Sequence, residues 1–103
     1  MTLNDYQIDA MNLRLPSATS EYALYGLAGE VGELFSLLAK SIRDGRTFEH
    51  DLLIKKEIGD ILWMLAAIAQ DNGYTLDDIA LSNLHKLYAR RDKGTLQGSG
   101  DLR

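Results

Sequence analysis

Two acidic pairs, Glu30-x-x-Glu33 and Glu57-x-x-Asp60, each lie inside a stretch that is otherwise rich in apolar residues. Residues three apart share one face of a helix, so each pair would set two carboxylates side by side among apolar neighbours. Grouping like charges there is costly unless something neutralises them. Carboxylate oxygens are the ligands that hard divalent cations prefer, so the pairs predict a site for Mg²⁺, with Mn²⁺ as the alternative ion.

The spacing of the two pairs also predicts how they meet. Gly45 is equally far along the chain from Glu33 and Glu57, and equally far from Glu30 and Asp60. If the two stretches fold back as antiparallel helices about this glycine, all four carboxylates converge. The alternative is that each pair is a solvated acidic stripe on an amphipathic helix, because Asp and Glu side chains are usually exposed.

Glycine precedes three of the four acids, at Gly29, Gly32 and Gly59, and Gly26 extends the series towards the N-terminus. A glycine inside a helix costs about 0.5–1 kcal/mol relative to alanine. A strip without side chains is typical of close helix packing. Such packing would also bring opposing carboxylates within reach of one cation.

The elements that must position these residues are all helices in our interpretation, because apolar residues recur at three- and four-residue steps. Pro16, Gly45 and Asn72-Gly73 interrupt this pattern. We expect four helices and no strand, with the helices at about residues 3–14, 20–43, 50–71 and 75–92. They form one domain, residues 1–93. The glycine-rich tail, residues 94–103, is expected to be ordered only against a neighbour or a substrate.

The apolar positions of these helices, among them Ile8, Ile42, Ile58 and Leu84, are expected to face inward. Residues 61–69 are apolar around nearly the whole circumference of the third helix, and one layer of four short helices cannot easily surround it. A second copy of the chain could do so, which favours a homo-oligomer. The competing interpretation is the central helix of a monomeric bundle.

Composition excludes several classes of function. The chain has 103 residues, a formal net charge of −4 and no cysteine. No basic block exists beyond Arg90-Arg91, so binding to a nucleic acid polymer is not expected. The longest apolar stretch is too short to span a bilayer, which argues against a membrane partner. No signal peptide is visible, and together with the lack of cysteine this favours a cytoplasmic location.

Several residues outside the acidic pairs could bind phosphate groups or stack on a planar ring of a ligand. Asn83, Lys86 and Arg90 share a face of the fourth helix and would suit phosphate, although the two cations could simply complement the helix dipole. Lys40 lies near the face of Glu33, where it could contact phosphate or merely mark a helix end. The candidates for stacking on a base, each of which could equally be a core residue, are Tyr22, Tyr25, Trp63 and Tyr74.

The motifs GEVGEL and EIGDILW resemble the EXXE–EXXD signature of the MazG-like all-α nucleoside triphosphate pyrophosphohydrolases. The resemblance covers about residues 20–92 and continues in Asn83-Leu-His-Lys-Leu87 and Arg90; Gly98-Ser-Gly-Asp101 is similar to the tail of small phage-type members. It implies an all-α, four-helix bundle-like MazG-type fold, assembled as a dimer or a dimer of dimers. It also implies hydrolysis of a nucleoside triphosphate to monophosphate and pyrophosphate, with nucleotide-pool housecleaning as one role.

On this interpretation Glu30, Glu33, Glu57 and Asp60 hold the metal, and Glu33 also accepts the proton of the attacking water. Lys86 and Arg90 would hold the leaving pyrophosphate. Two other classes remain open. A di-iron carboxylate bundle would use Glu-x-x-His motifs, which this chain lacks. A non-enzymatic helical interaction protein would leave the acidic stripes solvated.

Overall fold

The computed structural model describes residues 1–101, and within them every regular element is an α-helix. This confirms the predicted all-α class. The helices start and end within two residues of the predicted bounds. They are α1 (Leu3–Asn12), α2 (Ser20–Asp44), α3 (Phe48–Asp71) and α4 (Leu76–Lys93).

Each helix begins after a threonine whose hydroxyl accepts a hydrogen bond from a backbone N–H in the first turn. Such caps satisfy donors that have no partner inside the helix, and losing one typically costs about 1 kcal/mol. At α3 the cap is reciprocal, because the Thr47 N–H donates to Nδ1 of His50. The capping threonines are Thr2, Thr19, Thr47 and Thr75.

Glycines end two of the helices in conformations that other residues rarely adopt. Gly45 follows α2 with φ of 85°, and Gly94 follows α4 in the left-handed region with φ of 71°. The turn at Gly45 sends α3 back along α2, so these two longest helices form an antiparallel pair. α1 packs against α3 and α4 packs against α1.

The start of α4 is fixed by side chains of α1. Gln7 is buried, and its amide donates to Oε1 of Gln70 and to the carbonyl oxygen of Tyr74, both at 3.0 Å. Its own oxygen accepts from the Leu76 N–H at 2.7 Å. Oδ1 of Asn4 accepts from the next N–H of α4 at 3.0 Å. These bonds direct α4 along α1 and away from the α2–α3 pair.

The core of the single chain is small. A cluster of Ala66, Ala69 and Leu76 forms its centre, with Tyr6, Met11 and Leu62 packed around it. The expectation that the apolar positions all face inward is therefore wrong for one chain. Ile42 is 87% exposed and Ile58 is 54% exposed, and Ile8 and Leu84 are exposed as well. The physical reason is that α4 packs along α1, which leaves much of the surface of α2 and α3 uncovered.

The overall dimensions also show that the single chain is less compact than a typical domain of its length. The radius of gyration is 16.6 Å, against about 13 Å for a compact domain of this length. The accessible surface is 7536 Å², against about 5,800 Å² for a compact monomer of 11.5 kDa. Large apolar side chains contribute to this surface, among them Phe35, Ile42 and Phe48, which are each at least 65% exposed. Among residues 1–101, no helix has the length and apolar character needed to cross a bilayer.

Candidate active site

The pairing of α2 with α3 brings three of the four predicted carboxylates together. One oxygen from each of Glu30, Glu33 and Glu57 can be chosen so that all three lie within 4.8 Å of one another. Asp60 lies beside this group and lines a cavity with Glu30. Burial raises the pKa of Tyr6 on α1, and the charge of Asp60 adds to that effect. Asp60 therefore lies on the side of the cluster that faces α1.

Two oxygens of the cluster are buried without any hydrogen-bond partner among the described residues, Oε2 of Glu30 and Oε2 of Glu57. The pKa of Glu30 is raised to about 7, and the largest cause is the neighbouring carboxyl group of Glu57. Burial and the negative charges of Glu33, Asp60 and Glu57 are the smaller causes of the same shift. A proton relieves the repulsion in the absence of metal, and a divalent cation bound by the same oxygens would do so more fully. All three clustered ligands are carboxylates, which suits a hard ion.

A cavity of about 400 Å³ opens beside Glu30 and Asp60. Two of the predicted stacking candidates, Tyr22 and Trp63, lie in its wall; Tyr25 and Tyr74 do not. The remaining lining residues are Leu13, Leu15, Ala18 and Met64. The wall of the cavity therefore combines aromatic and apolar side chains with two carboxylates, which is a composition suited to a base next to a charged group.

The loop between α1 and α2 shapes one wall of this cavity, and it is held by a contact that sequence reasoning overlooked. Arg14 makes a two-pronged ion pair with Asp71, with nitrogen–oxygen distances of 2.8 and 3.0 Å. Its Nε also donates to the carbonyl oxygen of Ala18 at 2.7 Å. Arg14 and Asp71 are 57 residues apart along the chain, so no local spacing in the sequence could have indicated their ion pair.

Lys40 lies at the other side of the carboxylates. It lines a smaller cavity of about 220 Å³ together with Glu33 and Glu57. The two cavities divide the four acids as antiparallel pairing about Gly45 predicts, with Glu33 beside Glu57 and Glu30 beside Asp60. A cation at Lys40 next to the acidic row could contact a phosphate that is bound there.

The predicted phosphate-binding residues of α4 lie apart from the carboxylates of α2 and α3. Asn83 and Lys86 line a cavity of about 420 Å³ whose described walls contain none of the clustered acids. Arg90 is buried, and it and Lys86 both contact Asp101 of the C-terminal tail. Within one chain, the predicted phosphate-binding residues of α4 are therefore not brought to the carboxylates. The cause is the docking of α4 on α1.

The glycines beside the acids have different surroundings. A Cβ added at Gly26 would lie 2.7 Å from Sδ and Cε of Met64, so this glycine does permit close packing of α2 on α3. A Cβ at Gly29, Gly32 or Gly59 would meet nothing within 4 Å. The predicted close packing therefore holds at Gly26 and not at the three glycines adjacent to the acids, which border open space.

The fold and the site define a class: a small all-α protein in which an acidic pair from each of two antiparallel helices borders an aromatic cavity. Comparison with known proteins agrees with this class. The model of the MazG nucleotide pyrophosphohydrolase domain matches residues 18–95. The chain therefore belongs to the MazG nucleotide pyrophosphohydrolase family, as the two acidic motifs predicted.

A relative is known from Mycobacterium phage L5. Its gene 37 protein is 38% identical to this chain over 85 residues, which span 80% of this chain and 75% of that protein. The name of that protein states no activity. No solved structure matches the chain.

Proposed function

We propose that the protein is a Mg²⁺-dependent pyrophosphohydrolase that converts a nucleoside triphosphate, ribo or deoxy, to the monophosphate and pyrophosphate. The observation that carries this proposal is the cluster of Glu30, Glu33 and Glu57, with two buried carboxylate oxygens that have no described partner. Membership of the MazG family supports the reaction class. In this proposal the catalytic domain is residues 1–93. The tail is residues 94–103, of which 102 and 103 lie outside the described structure.

The donor set fits a hard divalent cation. Glu30, Glu33, Glu57 and Asp60 would hold Mg²⁺, or Mn²⁺ in its place. The two unpaired oxygens and the raised pKa of Glu30 both indicate negative charge that a cation would stabilise. Bound there, the metal would neutralise charge on the phosphates and polarise the phosphorus that is attacked.

Glu33 is the best placed of the four to accept a proton. Its side chain is exposed, whereas Glu30 and Glu57 are partly buried and hold the unpaired oxygens. A water oxygen would attack the α-phosphorus and pass its proton to the Glu33 carboxylate. The bond from the α-phosphorus to the bridging oxygen would break, and pyrophosphate would leave with that oxygen.

The two cavities beside the acids suggest how the substrate lies. The base would enter the larger cavity and stack on Trp63 or Tyr22. The phosphates would then extend across the carboxylates towards Lys40. Because substrates of this kind are cytoplasmic nucleotides, we retain the cytoplasm as the proposed compartment.

A second copy of the chain would complete the site. The chain has about 1,700 Å² more surface than a compact monomer, an amount comparable with what each partner buries in a permanent interface. Leu81, Leu84 and Tyr88 on α4 are exposed, as are Phe35 on α2 and Ile58 on α3. We therefore propose a homodimer or a dimer of dimers. In it, α4 of one protomer brings Asn83, Lys86 and Arg90 to the carboxylates of its partner.

A panel of common and modified nucleoside triphosphates, incubated with Mg²⁺, tests the proposed reaction. We expect pyrophosphate and a monophosphate as products, and hydrolysis in oxygen-18 water should label the monophosphate. Labelled pyrophosphate would mean attack at the β-phosphorus, and orthophosphate with a diphosphate would mean attack at the γ-phosphorus. Either result contradicts the proposed reaction. Absence of Mg²⁺-dependent turnover with every nucleotide would contradict the proposal as a whole.

A further inference from the structure

The segment that follows α4 turns back against that helix. After the left-handed Gly94, the Thr95 N–H donates to the carbonyl oxygen of Arg90 at 2.8 Å. Gly100 has φ of 83°, a conformation that favours glycine. The tail was expected to be ordered only against a neighbour or a substrate. The structure instead places the described residues of the tail, 94–101, against α4 of its own chain.

This turn brings one carboxylate oxygen to two cations. Oδ1 of Asp101 accepts from Nζ of Lys86 and from Nη2 of Arg90, each at 3.1 Å. The carbonyl oxygen of Gly100 accepts from the same Nη2 at 3.3 Å. The hydrogen bonds from Lys86 and Arg90, followed by their positive charges, lower the pKa of Asp101, so its carboxylate is ionised at neutral pH.

Arg90 needs such a partner more than Lys86 does. The residue is 5% exposed, and a buried guanidinium without a counter-charge is strongly unfavourable. Its Nε is also buried and has no hydrogen-bond partner among the described residues. The side chain of Asp101, in contrast, is 81% exposed. The contact therefore holds the two cations in place, while the side chain of Asp101 stays largely exposed to solvent.

Asp101 takes one of the three N–H donors of Lys86, whose side chain is 39% exposed, so two donors stay open to a further ligand. Arg90 is more committed, because it is buried and its Nη2 donates both to Asp101 and to the carbonyl oxygen of Gly100. Lys86 also lines the open cavity that contains Asn83. One carboxylate oxygen between two like charges reduces their repulsion and holds them together, while the open donors of Lys86 remain for a phosphate.

We propose that Asp101 is a positioning residue, whose carboxylate holds Lys86 and Arg90 together as a paired site for the pyrophosphate part of the substrate. The identity of the substrate rests on the proposed function. The competing interpretation is that the carboxylate occupies the place of a phosphate and blocks it. The two interpretations predict opposite effects on affinity when the charge of Asp101 is removed.

The test compares Asp101→Ala, Asp101→Asn and Asp101→Glu with the parent protein in Mg²⁺. Two quantities are measured: steady-state kcat and KM for the best nucleotide, and calorimetric binding of inorganic pyrophosphate. For Asp101→Ala we expect the KM and the pyrophosphate Kd to rise about tenfold, with a smaller change in kcat. Asp101→Asn keeps an acceptor oxygen without the charge and should be intermediate. Asp101→Glu should recover most of the affinity.

Asp92→Ala is the matched control, because Asp92 is an exposed acid at the end of α4 whose ion-pair partner is Arg91. It should leave both quantities unchanged. In Lys86→Ala/Asp101→Ala, the losses should be clearly less than additive, since Asp101 acts through Lys86 and Arg90. A merely structural role would lower the melting temperature without this coupling.

Tighter binding of pyrophosphate by Asp101→Asn than by the parent would overturn the proposal and identify a blocking carboxylate. Equal affinity for all variants would overturn it as well. A parent that binds pyrophosphate but hydrolyses no nucleotide would contradict the proposed function, while the binding series would still test Asp101. Asp101→Asn is nearly isosteric with the parent, so it carries the test if Asp101→Ala does not fold.

Discussion

The acidic cluster on α2 and α3 and the cationic pair on α4 are built in opposite ways. In the cluster, carboxylates from two helices meet with no described cation between them, and two of their oxygens have no partner. In the pair, the cations Lys86 and Arg90 already share a carboxylate from the tail. The cluster therefore has a charge to be neutralised by something outside the described chain, whereas half of the charge of the pair is neutralised within it.

This difference shows where the missing components belong. The unpaired acids fit a metal ion, because no described cationic side chain forms an ion pair with them. The cations fit a phosphate, but α4 holds them along α1 and away from the acids. In the function proposed above, a complete site therefore takes a divalent cation from solution and α4 from a second protomer.

The largest expected effect comes from Glu57→Gln, which removes a charge from the cluster while keeping its shape. We expect kcat/KM in Mg²⁺ to fall at least a hundredfold, because even residues behind a metal ligand typically cost 10–100-fold. Glu49→Gln is the control, since Glu49 is an exposed acid in the first turn of the same helix. Equal turnover by Glu57→Gln and the parent would remove the metal assignment.

The proposed exchange of α4 between protomers is tested with a mixed dimer, in which the two protomers carry different inactivating substitutions. Glu57→Gln and Asn83→Ala/Lys86→Ala are co-expressed with different tags, and the mixed dimer is purified. If α4 serves the site of its partner, one site of each mixed dimer carries both defects and the other carries none. The mixed dimer should then recover about half of the parent activity. Activity no higher than the mean of the two parental variants would place α4 in its own protomer's site.

Sedimentation of the parent gives an independent check on the assembly. The uncovered apolar surface predicts a dimer or a larger species at micromolar concentration. A fully active monomer would contradict the assembly and the sharing of α4 together.

A smaller effect concerns pH and the metal-free protein. The ordinary pKa of Glu30 is 4.5, and in the folded chain it is raised to about 7. Between these values the folded chain keeps a proton that the unfolded chain has lost, so stability falls as pH rises through about 7. We expect a loss of about 1–3 kcal/mol between pH 4.5 and 8 from this group, measured by urea unfolding.

Two comparisons isolate the contribution of Glu30 to this pH dependence. Glu30→Gln should be less sensitive to pH over that interval and, without metal, more stable than the parent at pH 8. Addition of Mg²⁺ should stabilise the parent more at pH 8 than at pH 5, since the cation replaces the proton. A parent whose stability rises steadily from pH 5 to 8 without metal would show that the acids do not repel one another as the cluster requires.

The smallest expected effects compare two glycines of α2. Gly26→Ala would press a methyl group against Met64, which is a flexible but buried side chain, and should cost about 1 kcal/mol. Gly29→Ala has open space and should gain up to about 1 kcal/mol from helix propensity in the single chain. Thermal melting of both variants measures the difference. Destabilisation by Gly29→Ala would place that glycine at a subunit interface.

Several features of the fold could be predicted because they depend on residues close together in the chain. The helix starts follow from threonine caps, whose partners lie three residues away. The acidic motifs and their spacing about Gly45 predicted both the family and the pairing of α2 with α3. Metal binding and the roles of individual acids remain predictions.

The extent of burial was predicted less well. Periodicity identifies the apolar face of a helix, but it does not say whether that face is covered by the same chain. Ile42 and Ile58 lie on such faces and are exposed, because no described helix of the chain packs over them. The contact of Asp101 was also missed, since a lone acid in a glycine-rich tail carries no spacing signal.

The sequence by itself determined the local parts of this protein: four capped helices, the turn at Gly45 and two acidic pairs with matching spacing. Only the tertiary structure decided where α4 lies, which acids stay unpaired, and that the tail returns to Lys86 and Arg90. The physical reason is the range of the interactions. Caps and turns are satisfied within a few residues, whereas α4 is placed by Gln7 through bonds to residues more than sixty positions away.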